Sequence, residues 1–141
     1  MQTPDVNILV NAHRVDSVFH DVCRRWLEMA IDGAEHLALT HHALAGFVRI
    51  ATNRRAFAIP TPRATAFAVC TELLGHPNII VAAPGPAFWT LFAGVCDEAN
   101  LMGPDISDAY LAALAIEHSL EFVTTDRGFR RFSGLRLTLL G

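Results

Sequence analysis

The apolar positions along this chain fall into short runs and longer periodic stretches that alternate. Residues 6–10 are apolar and rich in β-branched side chains, and propensity alone predicts a strand there. Residues 20–31 carry Val22, Cys23, Trp26, Leu27 and Ala30 at helical spacing, and Asp32-Gly33 marks the stop. Residues 36–39 form a short strand candidate. Thr40 is placed to cap a helix reaching about residue 52, with Leu44, Phe47, Val48 and Ala51 turned inward. Residues 53–60 read as a loop. Pro62 suits the first turn of a helix that runs to Leu74, where Gly75 closes it. Residues 79–82 predict a buried strand, and Pro84-Gly85-Pro86 a turn into a helix over 87–100. After the break at Gly103-Pro104, Ser107 is the expected N-cap of an apolar helix over 108–118. Residues 121–124 read as a strand, 125–132 as a turn and short helix, and 135–139 as a last strand.

This alternation predicts an α/β fold with a mainly parallel sheet covered on both faces. A chain of 141 residues makes one domain, 1–141. Folds of this kind gather ligands at the carboxyl ends of their strands, so chemistry is expected at strand-to-helix junctions.

Composition narrows the chemistry. Hydrophobic residues make up 52% and charged ones 18%, which excludes a disordered chain and leaves apolar surface for a partner. All eleven basic residues are Arg. Without Lys there is no Schiff base, P-loop lysine or phospho-acceptor receiver, whereas Arg still serves anion recognition. Net charge is −3, so attraction to nucleic acid would have to be local. Cys23, Cys70 and Cys96 form no paired motif and read as small apolar residues in a reducing compartment. No basic stretch followed by an apolar one stands at the N-terminus, and no apolar run reaches the roughly 20 residues of a membrane span. A cytoplasmic protein is expected.

Asp5, Asp108 and Asp126 lie at or near the predicted junctions, with Asp105 just upstream of Asp108. Singly each is an ordinary turn or helix-start acid. Together they form a set of hard oxygen ligands. Carboxylates that share a pocket repel, and a bound cation or a shared proton relieves them. Oxygen ligands without nearby His or Cys favour Mg²⁺ or Mn²⁺. The neighbours His41 and His42 are an improbable ligand pair, because adjacent helical residues point about 100° apart. His118 sits at a helix end, suited to the helix dipole. Glu28, Glu72, Glu98 and Glu117 read as solvated helix faces, and Trp26 and Trp89 as core or interface residues.

Three stretches occur in a telling order: Asp5-Val6-Asn7, then Ser107-Asp108-Ala109-Tyr110-Leu111-Ala112-Ala113-Leu114-Ala115, then Thr124-Thr125-Asp126-Arg127-Gly128-Phe129. They resemble the signatures of PIN-domain ribonucleases, most closely the VapC toxins of type II toxin–antitoxin systems. Residues 46–53 and 132–136 are similar to one VapC subgroup. The resemblance implies a PIN-like three-layer α/β/α sandwich and a metal-dependent endoribonuclease, a hydrolase that attacks RNA phosphodiesters with a metal-activated water. It makes Asp5, Asp108 and Asp126 catalytic, with Asp5 and Asp108 the main Mg²⁺ ligands and Mn²⁺ a possible substitute. Asn7 and Thr124 would hold the carboxylates by hydrogen bonds. It implies a VapB-type antitoxin, a homodimer and a toxin–antitoxin hetero-oligomer, and it turns residues 6–10 into the start of a helix. Many PIN domains carry a further acid, usually Glu, where this chain has Gly46; Asp105 is the candidate replacement. The alternative reading is a PIN-like module that binds RNA or protein without catalysis. Phe47, Ile50, Phe57 and Ile59 are the candidate wall of an antitoxin groove.

RNA binding would rest on local arginines, with Arg49, Arg54, Arg55 and Arg127 the principal candidates, beside Arg130 and Arg131. Replacing Arg54 and Arg55 together by Ala is expected to weaken RNA binding and flatten its salt dependence. Binding measured across a salt series checks this, and an unchanged slope would remove both residues from the phosphate contacts.

Overall fold

The computed structural model describes residues 1–141. Five short strands are present: β1 (Gln2–Pro4), β2 (Leu37–Leu39), β3 (Ile79–Val81), β4 (Glu121–Thr124) and β5 (Leu137–Leu139). Six helices join them: α1 (Val6–His13), α2 (His20–Asp32), α3 (His41–Ala51), α4 (Arg63–Leu74), α5 (Phe88–Glu98) and α6 (Ile106–Glu117). All four strand pairings are parallel, in the order β3-β2-β1-β4-β5. Parallel neighbours need long crossovers: helix pairs supply those between β1, β2, β3 and β4, and residues 125–136, with a 3₁₀ turn over Arg127–Arg131, supply the one from β4 to β5.

Strand β4 shows both faces of the sheet in use. Phe122 packs on Phe129 at 4.6 Å between ring centroids, inside the main core with Ala112 and Ala115 of α6. The next residue, Val123, joins Ile8 and Ala12 of α1 and Cys23 of α2. Successive strand residues face opposite ways, so the sheet lies between two helical layers, an α/β/α sandwich. The central strand is β1, although it has three residues and contains Pro4. A proline cannot donate to the ladder. The ladder resumes at Asp5, whose N–H donates to the Val123 carbonyl at 2.8 Å.

Residues 6–10 are helical, against their strand propensity. Asp5 is extended, and its carboxylate accepts from the Val6 N–H at 2.7 Å, which turns the chain into α1. Ile8, Leu9, Val10 and Ala12 are all buried, and so short an apolar run reads equally as a buried strand or a buried helix. Thr40 caps α3 as expected, its hydroxyl accepting from the Ala43 N–H at 3.0 Å.

Other expectations need correction. Helix α6 starts at Ile106, led in by a 3₁₀ turn over Gly103–Asp105, so Ser107 lies inside the first turn and is not the N-cap. Strand β3 is a sheet edge, which leaves Ile80 and Val81 exposed rather than buried. Glu117 is not solvated: its carboxylate accepts from the N–H groups of Gly85 at 2.7 Å and Ala87 at 3.0 Å, holding the turn before α5. Phe47 is core, not groove wall, whereas Ile59 is exposed. Trp26 packs against the core, but Trp89 is exposed. Cys23 and Cys70 are buried and Cys96 half-buried.

Gly46 marks a close approach of α3 to α1. A Cβ built there would lie 2.7 Å from Cγ2 of Val6, a β-branched side chain with little freedom to turn aside. Overpacking of this kind costs about 1–3 kcal/mol and outweighs the roughly 1 kcal/mol that Ala gains over Gly in a helix. Gly46→Ala is therefore expected to lose about 1–2 kcal/mol in equilibrium denaturation, by the same balance. Adding Val6→Ala should return most of that loss; no recovery would place the crowding elsewhere.

Candidate functional site

Strands β1 and β4 are paired, with Pro4 opposite Val123, so both end at the same level. From β1 the chain crosses toward β2 on one side, and from β4 toward β5 on the other. That divergence opens a crevice at the carboxyl ends, where α/β folds bind ligands. Asp5 follows β1 directly. Thr124 ends β4, and Asp126 comes two residues later. Asp108 lies in the first turn of α6.

The Thr124 hydroxyl is the hub. Thr124 is fully buried. Its Oγ1 donates to Asp5 Oδ2 at 2.6 Å and accepts from the Asp126 N–H at 3.0 Å and from Asn7 Nδ2 at 3.2 Å. One proton and two lone pairs are thereby all in use. Asn7 Oδ1 also accepts from the Thr125 N–H at 3.4 Å. Thr124 thus bonds directly to Asp5 and to the Asp126 backbone, whereas Asn7 reaches the acids only through Thr124.

The three acids share a field. Asp5 is 5% exposed, and burial pushes its carboxyl up to about 6. The bonds from Thr124 and Val6 oppose that rise, while the charges of Asp108 and Asp126 add to it. Burial also raises Asp108 above the usual carboxylate range. Arg131 works against the rise, and Asp126 and Asp105 reinforce it. Asp126 is exposed, and its Oδ1 accepts from the Gly128 N–H at 2.8 Å, capping the 3₁₀ turn Arg127–Arg131.

As the side chains stand, no three His, Cys, Asp or Glu groups form a metal-ligating set. Each carboxylate is turned to a partner in the protein: Asp5 to Thr124, Asp126 to Gly128, and Asp108 to Arg131, whose Nη2 donates at 3.0 Å. Asp105 lies at the rim, 61% exposed at its side chain and 3.8 Å from the same guanidinium.

Two features escaped the sequence reading. Arg131, an RNA-contact candidate from the sequence, pairs with Asp108; that ion pair spans 23 residues and has no local signature. His42 Nε2 is 2.9 Å from Ser107 Oγ, and its ring stacks on Tyr110 with 4.5 Å between centroids. Burial and the Arg49 charge hold His42 below its ordinary range, against the pull of Asp108. His41 is exposed, so the two histidines do not act as a pair. His118 Nε2 lies 2.6 Å from the Ala83 carbonyl, a specific contact at the end of α6. Arg49, Arg54, Arg55 and Arg127 are exposed and join none of the chain's ion pairs.

The model of the PIN domain family matches residues 3–135. Ribonuclease VapC25 of Mycobacterium tuberculosis is 39% identical over 132 residues, covering 94% of this chain and 93% of that protein. VapC ribonuclease Mb2897 of Mycobacterium bovis is 41% identical over 132 residues, covering 94% of this chain and 90% of its own length. Among solved structures, the sarcin–ricin-loop-cleaving toxin VapC20 of Mycobacterium tuberculosis superimposes with a TM-score of 0.69 at 12% identity, covering 96% of this chain and 99% of that one. VapBC2 of Rickettsia felis, solved bound to a DNA fragment from its promoter, gives a TM-score of 0.67 at 17% identity over 98% of this chain and 97% of that one. The family model spans nearly the whole chain and the VapC relatives share about two residues in five with it, so this chain belongs to the PIN-domain family and, within it, to the VapC group.

Proposed function

We propose that this protein is the toxin of a type II toxin–antitoxin pair, an endoribonuclease that hydrolyses RNA phosphodiester bonds. One observation carries the reading: Asp5 is a buried carboxylate under the negative charge of Asp108 and Asp126, and no arginine or histidine pairs with it. A module that only binds gains nothing from such mutual repulsion. The relatives' names, ribonucleases at 39–41% identity, support the same reading. The catalysis-free alternative drew on Gly46, but the contact with Val6 accounts for that glycine by packing.

The donor set suits a hard divalent cation, since the acids offer oxygen only. Asp5 and Asp108 would hold Mg²⁺, or Mn²⁺ in its place, with Asp126 completing the site and Asp105 a further acid at its rim. When bound, such an ion supplies a water of lowered pKa and neutralises charge developing on the phosphate. The protein's own groups do the rest. Thr124 donates to Asp5 and so favours its ionised form, while Asn7 and the Asp126 N–H fix that hydroxyl in place. The exposed Arg49, Arg54, Arg55 and Arg127 would position RNA phosphates, leaving sequence choice to base contacts.

Residues 1–141 form a single PIN domain in this reading. It works in the cytoplasm with a second copy of itself and a VapB-type antitoxin. No helix is long and apolar enough to cross a membrane. The similar structures from Rickettsia felis and Salmonella typhimurium are VapBC proteins bound to DNA, which supports the antitoxin partner.

The test is cleavage of total cellular RNA by folded, antitoxin-free protein. Discrete fragments are expected with Mg²⁺ and none with EDTA. Asp108→Ala should lose more than about 100-fold, beyond the usual cost of disturbing a residue that merely supports a metal ligand. Intact cleavage by Asp108→Ala, or cleavage that ignores EDTA, would remove the assignment.

A further inference from the structure

We infer that Arg131 is an exchangeable counter-charge: it neutralises Asp108 in the metal-free chain, yields that carboxylate to a divalent cation, and then presents its guanidinium to the RNA phosphate. The inference rests on the nuclease reading and assigns a new residue to that site.

Arg131 is the only one of the eleven arginines paired with an acid of the cluster. Three further contacts fix it there. Nη1 donates to the Gly128 carbonyl at 3.2 Å. The Cζ atom lies 4.8 Å from the centroid of the Phe132 ring. Asp105 Oδ1 lies 3.8 Å from Nη2. Space has been left for this approach. A Cβ at Gly128 would come within 3.0 Å of both Arg131 Nη1 and Asp126 Oδ1, so any larger residue crowds the guanidinium and the acid together.

Asp108 Oδ2 cannot serve a guanidinium and a metal ion along the same direction. A divalent cation carries twice the charge and is the stronger partner for the acids. When Asp108 turns to the ion, the tethers to Gly128 and Phe132 do not depend on it. They keep the guanidinium at the end of β4, beside the acids, with free donors. A planar fork with five donors and no acceptor is matched to phosphate oxygens.

Arg131→Met keeps the apolar stem and removes the charge. Titration of the metal-free protein with MgCl₂ by calorimetry is expected to show about five- to tenfold tighter binding than in the parent, the discount on a full charge reflecting partial exposure. KM for RNA should rise by more than kcat falls. Arg131→Gln, which retains a donor for the Gly128 carbonyl, should give the same tightening and serves if the Met variant does not fold. Equal or weaker Mg²⁺ binding by the variants, with Mg²⁺-dependent cleavage by the parent intact, overturns the exchange and leaves the nuclease reading standing. No Mg²⁺ binding by the parent itself overturns both.

Discussion

Everything at the carboxyl edge of this sheet follows from placing one carboxylate, Asp5, out of water and beside two others. Its carboxyl is pushed from 3.8 to about 6, first by burial and then by Asp108 and Asp126. An acid that holds its proton to higher pH in the fold than in the unfolded chain removes stability as pH rises. For Asp5 the loss begins near pH 4 and is complete above pH 6, and amounts to on the order of 3 kcal/mol. A fold keeps such a group when something other than folding needs it. A cation bound by the acids would return much of that free energy, because it favours the ionised form.

The surrounding structure limits the cost without abolishing it. Thr124 commits its only proton to Asp5, and its lone pairs receive Asn7 and Asp126. Those contacts bind α1 to the end of β4, so the catalytic candidates and the centre of the sheet are one construction. The closeness of α1 to its neighbours is part of it. Gly46 lets α3 come down on Val6, the first residue of the helix that Asp5 begins. A position that looks like a missing acid in the sequence is a packing contact in the fold.

Much of this was legible in the chain. Helices α2 and α3 show in the 3.6 period, α3 also in its Thr40 cap, and α4 and α5 in the proline and glycine breaks beside them, and the order of strands and helices implies a parallel sheet. The resemblance of three stretches to PIN-domain signatures singles out Asp5, Asn7, Asp108, Thr124 and Asp126. What could not be read was set by tertiary contact. Residues 6–10 are too short an apolar run to separate a buried helix from a buried strand, and the turn at Asp5 decides it. Ile80 and Val81 have the composition of a buried strand but lie on an edge. Glu117, Ser107 and Arg131 look like surface or cap residues until distant elements fold against them. The separations of 32, 65 and 23 residues leave no local trace.

Burial and the neighbouring acids push the Asp5 carboxyl up to about 6, and a divalent cation held by the acids would favour its ionised form. A carboxyl-carbon NMR titration of the metal-free protein, with Asp5→Asn to assign the resonance, measures this directly. The expected result is a midpoint near 6 that falls when MgCl₂ is added. A midpoint at the ordinary value near 3.8, unmoved by Mg²⁺, would contradict it.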